Sequence, residues 1–403
     1  FAARDWMEGV FHVDGVGLYV VVAVALAWFE IVFTVATYVL NASYDAGRLA
    51  IASLVSHVVY AAGLVLAFER GWGLMGVLGA AALGNAVATG IVWGRVRAAT
   101  EFKAGAASSD AAPITRSRVL RYSLPFAAIG VLNAIVWRQS ETLLLAHFRT
   151  PEETGYFDVA YRLPQMVLEF VPGTVWPLVM AGMSEAFARD RESLRRGVEK
   201  YYRMLFALCA PLCVGGIIAG GRFVEVLYGA AMQPAAVPTQ LFFLIFTVSF
   251  LSTPLSMALY VLERTHVNLV IYTVLAVINV GLDLVLIPRY GVYGAIVPVA
   301  LAILLQPVLY YREVRRIDMG VRIPFGYVAR CLAGAAPAVL MVPVLVAVPG
   351  VAGLAAAAVV GALGVALGYR MARVVGPEEL NILRRVPAPG MSSVVNWLGR
   401  SSS

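Results

Sequence analysis

Arg138 and Glu141 stand three residues apart in the stretch VWRQSETLLL. That spacing places them on one face of a helix, where they can neutralise each other. Alternatively Arg138 is a cavity-facing cation that meets an anionic substrate, and Gln139, Ser140 and Thr142 make the surrounding patch polar. Asp158 and Arg162, in YFDVAYRLPQM, are an acid–base pair at i,i+4 near the end of an apolar run, where they can reach the headgroups. Glu169 lies two turns further on, between Pro164 and Pro172, with no base three or four residues after it. It reads as a proton-coupling carboxylate or as a partner for Arg138 across helices. Glu30, in LAWFEIVFTV, is either a hydrogen-bonded neutral acid or a proton site. His57 beside Ser56 and Asp283 in NVGLDLVLIP read as packing residues.

These groups attract notice because of the elements that carry them. The chain has 403 residues, 60% hydrophobic and only 14% charged, with a mean hydropathy of +0.80. Soluble domains sit nearer half apolar and a quarter charged. About eleven segments of roughly 20 mostly apolar residues can each cross a bilayer as a helix. They lie near 18–40, 48–68, 74–94, 122–146, 157–187, 202–220, 237–262, 266–287, 291–311, 327–348 and 351–370. Their apolar runs are continuous rather than alternating, so an all-α membrane protein is expected and a β-barrel is not. An ionisable group at mid-helix costs roughly 2.5–3.5 kcal/mol on insertion scales, so it needs a partner, a wet cavity or the headgroups. Pro164 and the Pro172–Gly173 pair interrupt one span densely enough to suggest a hinge.

The basic residues orient the spans. With residues 95–121 cytoplasmic, 24 of the 31 Lys and Arg fall on that side and five on the other; Arg138 and Arg162 lie within spans. This positive-inside bias predicts a cytoplasmic C-terminus and explains the net charge of +7 without nucleic acid. Residues 95–118 read as a flexible linker, 188–201 as a short amphipathic cytoplasmic helix, and 374–403 as a tail. The other connections are short, which argues against an enzyme with a large exterior active loop. No P-loop, nucleophile elbow or zinc-protease motif is present, and neither the scattered histidines nor the three cysteines suggest a metal site. No cofactor is expected. A transport process here draws on ion gradients, membrane potential or substrate flux.

Three stretches resemble the bacterial oligosaccharide flippases, the polysaccharide-biosynthesis branch of the multidrug/oligosaccharidyl-lipid/polysaccharide exporter superfamily. They are VWRQSETLLLAHFRTPEETGYFDVAYRL, NVGLDLVLIPRYGVYGAIVPVALA and YDAGRLAIASLVSHVVYAAGLVLAFERGWGLMGVLGAAAL. Their order and spacing agree over nearly all of 18–311. The resemblance implies two six-helix lobes followed by two extra helices. On that map residues 1–94 are three spans of the first lobe, 119–311 the second lobe and 327–373 the extra pair. The first three helices would then precede Phe1. It also implies an undecaprenyl-diphosphate-linked oligosaccharide as substrate, turned across the bacterial inner membrane by alternating access for surface polysaccharide assembly. Arg138 first, then Arg162, would bind the diphosphate beside Gln139, because guanidinium groups fork onto phosphate oxygens. Glu141, Glu169 and Glu30 would couple H+ or Na+. Membrane lipids and polysaccharide-assembly proteins are the other implied partners. The rival readings are a multidrug/cation antiporter, a lipid II flippase, a polymerase or ligase of glycan assembly, and a non-transporting scaffold.

Overall fold

The computed structural model describes residues 16–42, 46–105 and 115–374. His12, residues 106–114 of the expected linker and residues 375–403 of the tail lie outside them. Every regular element among the described residues is helical. That follows from the composition, since a helix satisfies all its backbone hydrogen bonds within one segment and needs no neighbour to do so in lipid. Among the described residues seven helices are long and apolar enough to cross a membrane, or eight if one bent pair forms a single span. The chain is a multi-pass membrane protein, and many of its apolar side chains lie outward as lipid allows: Phe68 is 91% exposed and Val346 81%.

The chain divides into two compact units, Phe1–Pro113 and Ile114–Ser403. The first holds α1 (Val16–Ala42), α2 (Ala46–Glu69) and α3 (Gly73–Gly105). Small residues bring α2 and α3 together: a Cβ on Gly63 would stand 2.6 Å from that of Ala80. Dispersion at such close approach substitutes for the hydrophobic effect, which has no force between helices in lipid. Helix α3 runs on to Gly105, so the first part of the expected linker, RVRAATEFKAG, is helical. Its Ala, Arg, Glu and Lys are good helix formers.

The second unit begins with α4 (Arg116–Phe148) and α5 (Pro151–Arg189). Helix α5 bends by 48° between Phe170 and Val175. Pro172 falls inside that break, where it removes a backbone donor and its ring crowds the preceding turn. Pro164 is buried within the straight first half. After α5 the single residue Asp190 is extended and caps α6 (Arg191–Tyr228), its carboxylate accepting from the Ser193 backbone N–H at 2.6 Å. Residues 191–201 are thus the first turns of a long span, not a separate amphipathic helix. The run RESLRRGVEK is rich in helix formers and contains no proline; Gly197 is its one weak position.

A 3-10 turn at Ala230–Ala235 leads into α7 (Ala236–Ser249), and α8 is Thr253–Val261. The expected span 237–262 is therefore broken at Phe250–Ser252, just before Pro254. Tyr202, fully buried on α6, anchors the break by donating its hydroxyl to the Leu251 carbonyl at 2.6 Å. Helix α9 (Thr265–Arg316) joins two expected spans through Gly291, whose φ of 55° and ψ of −129° are non-helical. The unit ends with α10 (Phe325–Ala335), a 3-10 turn, α11 (Met341–Ala347) and α12 (Gly350–Met371). Tyr369 ties α12 to α6 by donating to the Ala207 carbonyl at 2.8 Å.

Candidate functional site

Helix α4 packs along α9, and their contact brings three polar side chains together in the interior of the second unit. Asn279 and Asp283 are one helical turn apart on α9 and fully buried; Glu141 on α4 is 2% exposed. The Asn279 amide nitrogen donates to Glu141 Oε1 at 2.7 Å and to Asp283 Oδ2 at 2.9 Å. Ser140 Oγ donates to Glu141 Oε2 at 3.0 Å. The outer oxygens, Asn279 Oδ1 and Asp283 Oδ1, are buried with no hydrogen-bond partner among the described residues. One carboxamide thus holds two carboxylates in a low-dielectric interior. Two buried negative charges are tolerable only when positive charge neutralises them. A proton or a small cation suits the set of oxygens. The set contains two acids and an amide; no cluster of three or more His, Cys, Asp or Glu suited to a metal occurs among the described residues.

A cavity of about 550 Å³ lies elsewhere in the same unit. From α5 it receives Tyr161, Gln165, Glu169 and Trp176. The broken α7–α8 segment contributes Ser249, Phe250, Ser252, Thr253 and Ser256, and α9 contributes Tyr272 and Gln306. The Pro172–Gly173 bend forms part of its wall. Gln165 donates to Glu169 Oε1 at 3.0 Å, and Ser252 Oγ donates to Gln306 Oε1 at 3.2 Å. Glu169 is exposed, yet it faces this cavity, which relieves the cost of placing a carboxylate mid-span.

The residues singled out from sequence therefore fall in different places. Glu141 lies in the buried cluster and Glu169 in the cavity, and the two are not brought to one point. Arg162 forms an ion pair with Asp158 at 2.6 Å and is 60% exposed. Glu30 is exposed on α1, and the His57 Nδ1 shares a hydrogen bond with the Ser53 carbonyl at 2.7 Å. The side chains of Arg138 and Gln139 lie outside the described residues. Asp283 was read from sequence as a packing residue; its contact with Asn279 places it in the cluster. Its four-residue spacing from Asn279 was the available signal, since two polar residues at i,i+4 in an apolar run share a face.

Comparison with known proteins gives three results. A family of polysaccharide biosynthesis proteins matches residues 1–238. No curated protein sequence matches the chain. The fold is similar to that of a solved structure described as lipid II flippase MurJ in an inward closed conformation, with a TM-score of 0.60 and 13% identity. That likeness covers 88% of this chain and 74% of the flippase chain.

Proposed function

This chain belongs to the polysaccharide biosynthesis protein family, and from that membership we propose that it is a flippase for lipid-linked oligosaccharide. Its substrate would be undecaprenyl-diphosphate-linked glycan, carried across the bacterial inner membrane by alternating access, with the C-terminus cytoplasmic. The chain would act as a transporter, not an enzyme. The observation that carries the reading is the Glu141–Asn279–Asp283 cluster inside membrane-spanning helices. A static bundle would be more stable with apolar residues there. A transporter needs a site whose charge changes with the bound ion, and a ligand shifts a conformational equilibrium only by its differential affinity for the two states. Uptake of H+ or Na+ by this cluster would supply that difference. Arg138 would bind the diphosphate, with Arg162 and Gln139 assisting, and Glu169 and Glu30 would serve as further sites of ion exchange. The bend at Pro172–Gly173 would act as a hinge, with Pro164 as a second point of weakness in the same helix.

An organic-cation exporter is the second reading. It is favoured by Glu169, an acid in an aromatic-lined cavity, which is an arrangement suited to onium groups. Replacing Arg138 with Ala in the full-length protein separates the two. The flippase reading expects loss of surface polysaccharide and build-up of lipid-linked sugar at unchanged protein level. Normal surface polysaccharide in that strain, with altered resistance to organic cations, would favour the exporter.

A further inference from the structure

The cavity of the second unit has a lining that matches one part of such a substrate and not the rest. None of its described lining residues is a Lys or Arg, so those residues offer a diphosphate no charged fork. The cavity is also unsuited to a polyprenyl tail, because amide and hydroxyl groups from Asn133, Gln165, Ser252 and Gln306 interrupt its apolar surface. What remains is aromatic faces beside hydrogen-bonding groups. Trp176 meets Tyr260 edge-on at 6.2 Å, and Tyr161 meets Phe246 edge-on at 5.3 Å. Such contacts fix the rings and leave them oriented. A pyranose has the complementary surface: a C–H face that stacks on an aromatic ring and a rim of hydroxyls that need donors and acceptors. Amides supply both, and the Glu169 carboxylate accepts from two hydroxyls at once. The volume of about 550 Å³ lies within the range of small-ligand sites, roughly 300–1,000 Å³.

Resting on the flippase reading above, we propose that this cavity is a glycan subsite that holds sugar rings of the lipid-linked substrate, apart from the residues that bind its diphosphate. Trp176 and Tyr161 provide the stacking faces; Glu169, Gln165 and Gln306 bind hydroxyls. The break at Phe250–Ser252 belongs to the site, because the Ser252 hydroxyl sits in it and those of Ser249 and Thr253 flank it. Broken spans are where transporters expose polar backbone to a ligand. Amide and hydroxyl groups outnumber the single carboxylate, which is the balance expected for a neutral polyol and not for an onium ion.

The test is photo-cross-linking in the source cells with the full-length protein. Phe126, on the cavity wall, is replaced by p-benzoylphenylalanine, and the irradiated protein is purified and weighed by mass spectrometry. A matched probe at Val346, an exposed apolar position, serves as the lipid control. The proposal expects adducts carrying sugar residues at 126 and lipid alone at 346. It further expects the sugar adduct to be lost in Trp176→Ala and in Glu169→Gln, each checked for normal protein level. Adducts at 126 that contain only phospholipid or an organic cation would overturn it. So would the absence of adduct in well-expressed protein, or sugar adducts that persist in both variants. Surface polysaccharide in a strain lacking the protein keeps the two readings apart. Polysaccharide lost without sugar adducts defeats the subsite alone; polysaccharide retained defeats the flippase reading.

Discussion

At the scale of single residues the account turns on Glu141. Replacing it with Gln keeps an oxygen to accept from Asn279 and removes the charge. The expected outcome is a protein that melts within a few degrees of the parent in detergent and whose transport falls to the protein-free background. Glu141→Ala also removes the acceptor, and leaving a buried amide short of a partner costs about 1–3 kcal/mol. A lowered melting temperature in the Ala variant only would separate the ionic role from the packing role. An acid inside an apolar run already marked Glu141 in the sequence. Its partners were not legible, because Asn279 is 138 residues away and helix neighbours leave no trace in local spacing. Glu169 was marked in the same way, and its relation to Gln165 was readable at i−4. The residues on α7, α8 and α9 that complete the cavity were not. Ser and Gln in a span are too common for their convergence to be foreseen.

At the scale of elements the helices follow from apolar run length and the breaks from backbone chemistry. The joint in α9 depends on Gly291, whose positive φ and ψ of −129° suit Gly and little else. A Cβ there would also run into Glu153 Oε2, one member of an ion pair with Arg149. Gly291→Ala should therefore destabilise the protein by about 1–3 kcal/mol, the usual strain of such a backbone, measured as a fall in thermal stability. The joint between α5 and α6 depends on Asp190. The Ser193 backbone N–H holds its carboxyl below the usual aspartate range. A depressed folded value means that its contribution is complete above the unfolded pKa and fades as pH falls through the folded one. Asp190→Ala should thus be less stable than the parent at neutral pH, and the difference should vanish in acid. Positions of spans were legible because apolar length is written in the sequence. Their joints were less so. The run 188–201 looked separate because it is charged, yet charge alone does not end a helix, and Pro254 allows a kink without saying that the helix stops before it.

At the scale of the whole molecule, composition established a membrane protein, and the family match over residues 1–238 agrees with the resemblance carried by the stretches around Gly63 and Arg138; the stretch around Asn279 lies beyond it. Substrate identity is less legible at this scale, because a likeness at 13% identity describes a fold and not a cargo. On the reading proposed above, the chain moves lipid-linked glycan in exchange for an ion bound at Glu141–Asn279–Asp283. The most direct test of that reading uses the full-length protein in sealed vesicles loaded with undecaprenyl-diphosphate oligosaccharide. A glycosidase added outside reads the fraction that becomes accessible with time. The account predicts that the parent protein exposes the inner pool under an H+ or Na+ gradient and that Glu141→Gln does not. Exposure no faster than in protein-free vesicles, or equally fast in Glu141→Gln, would contradict it.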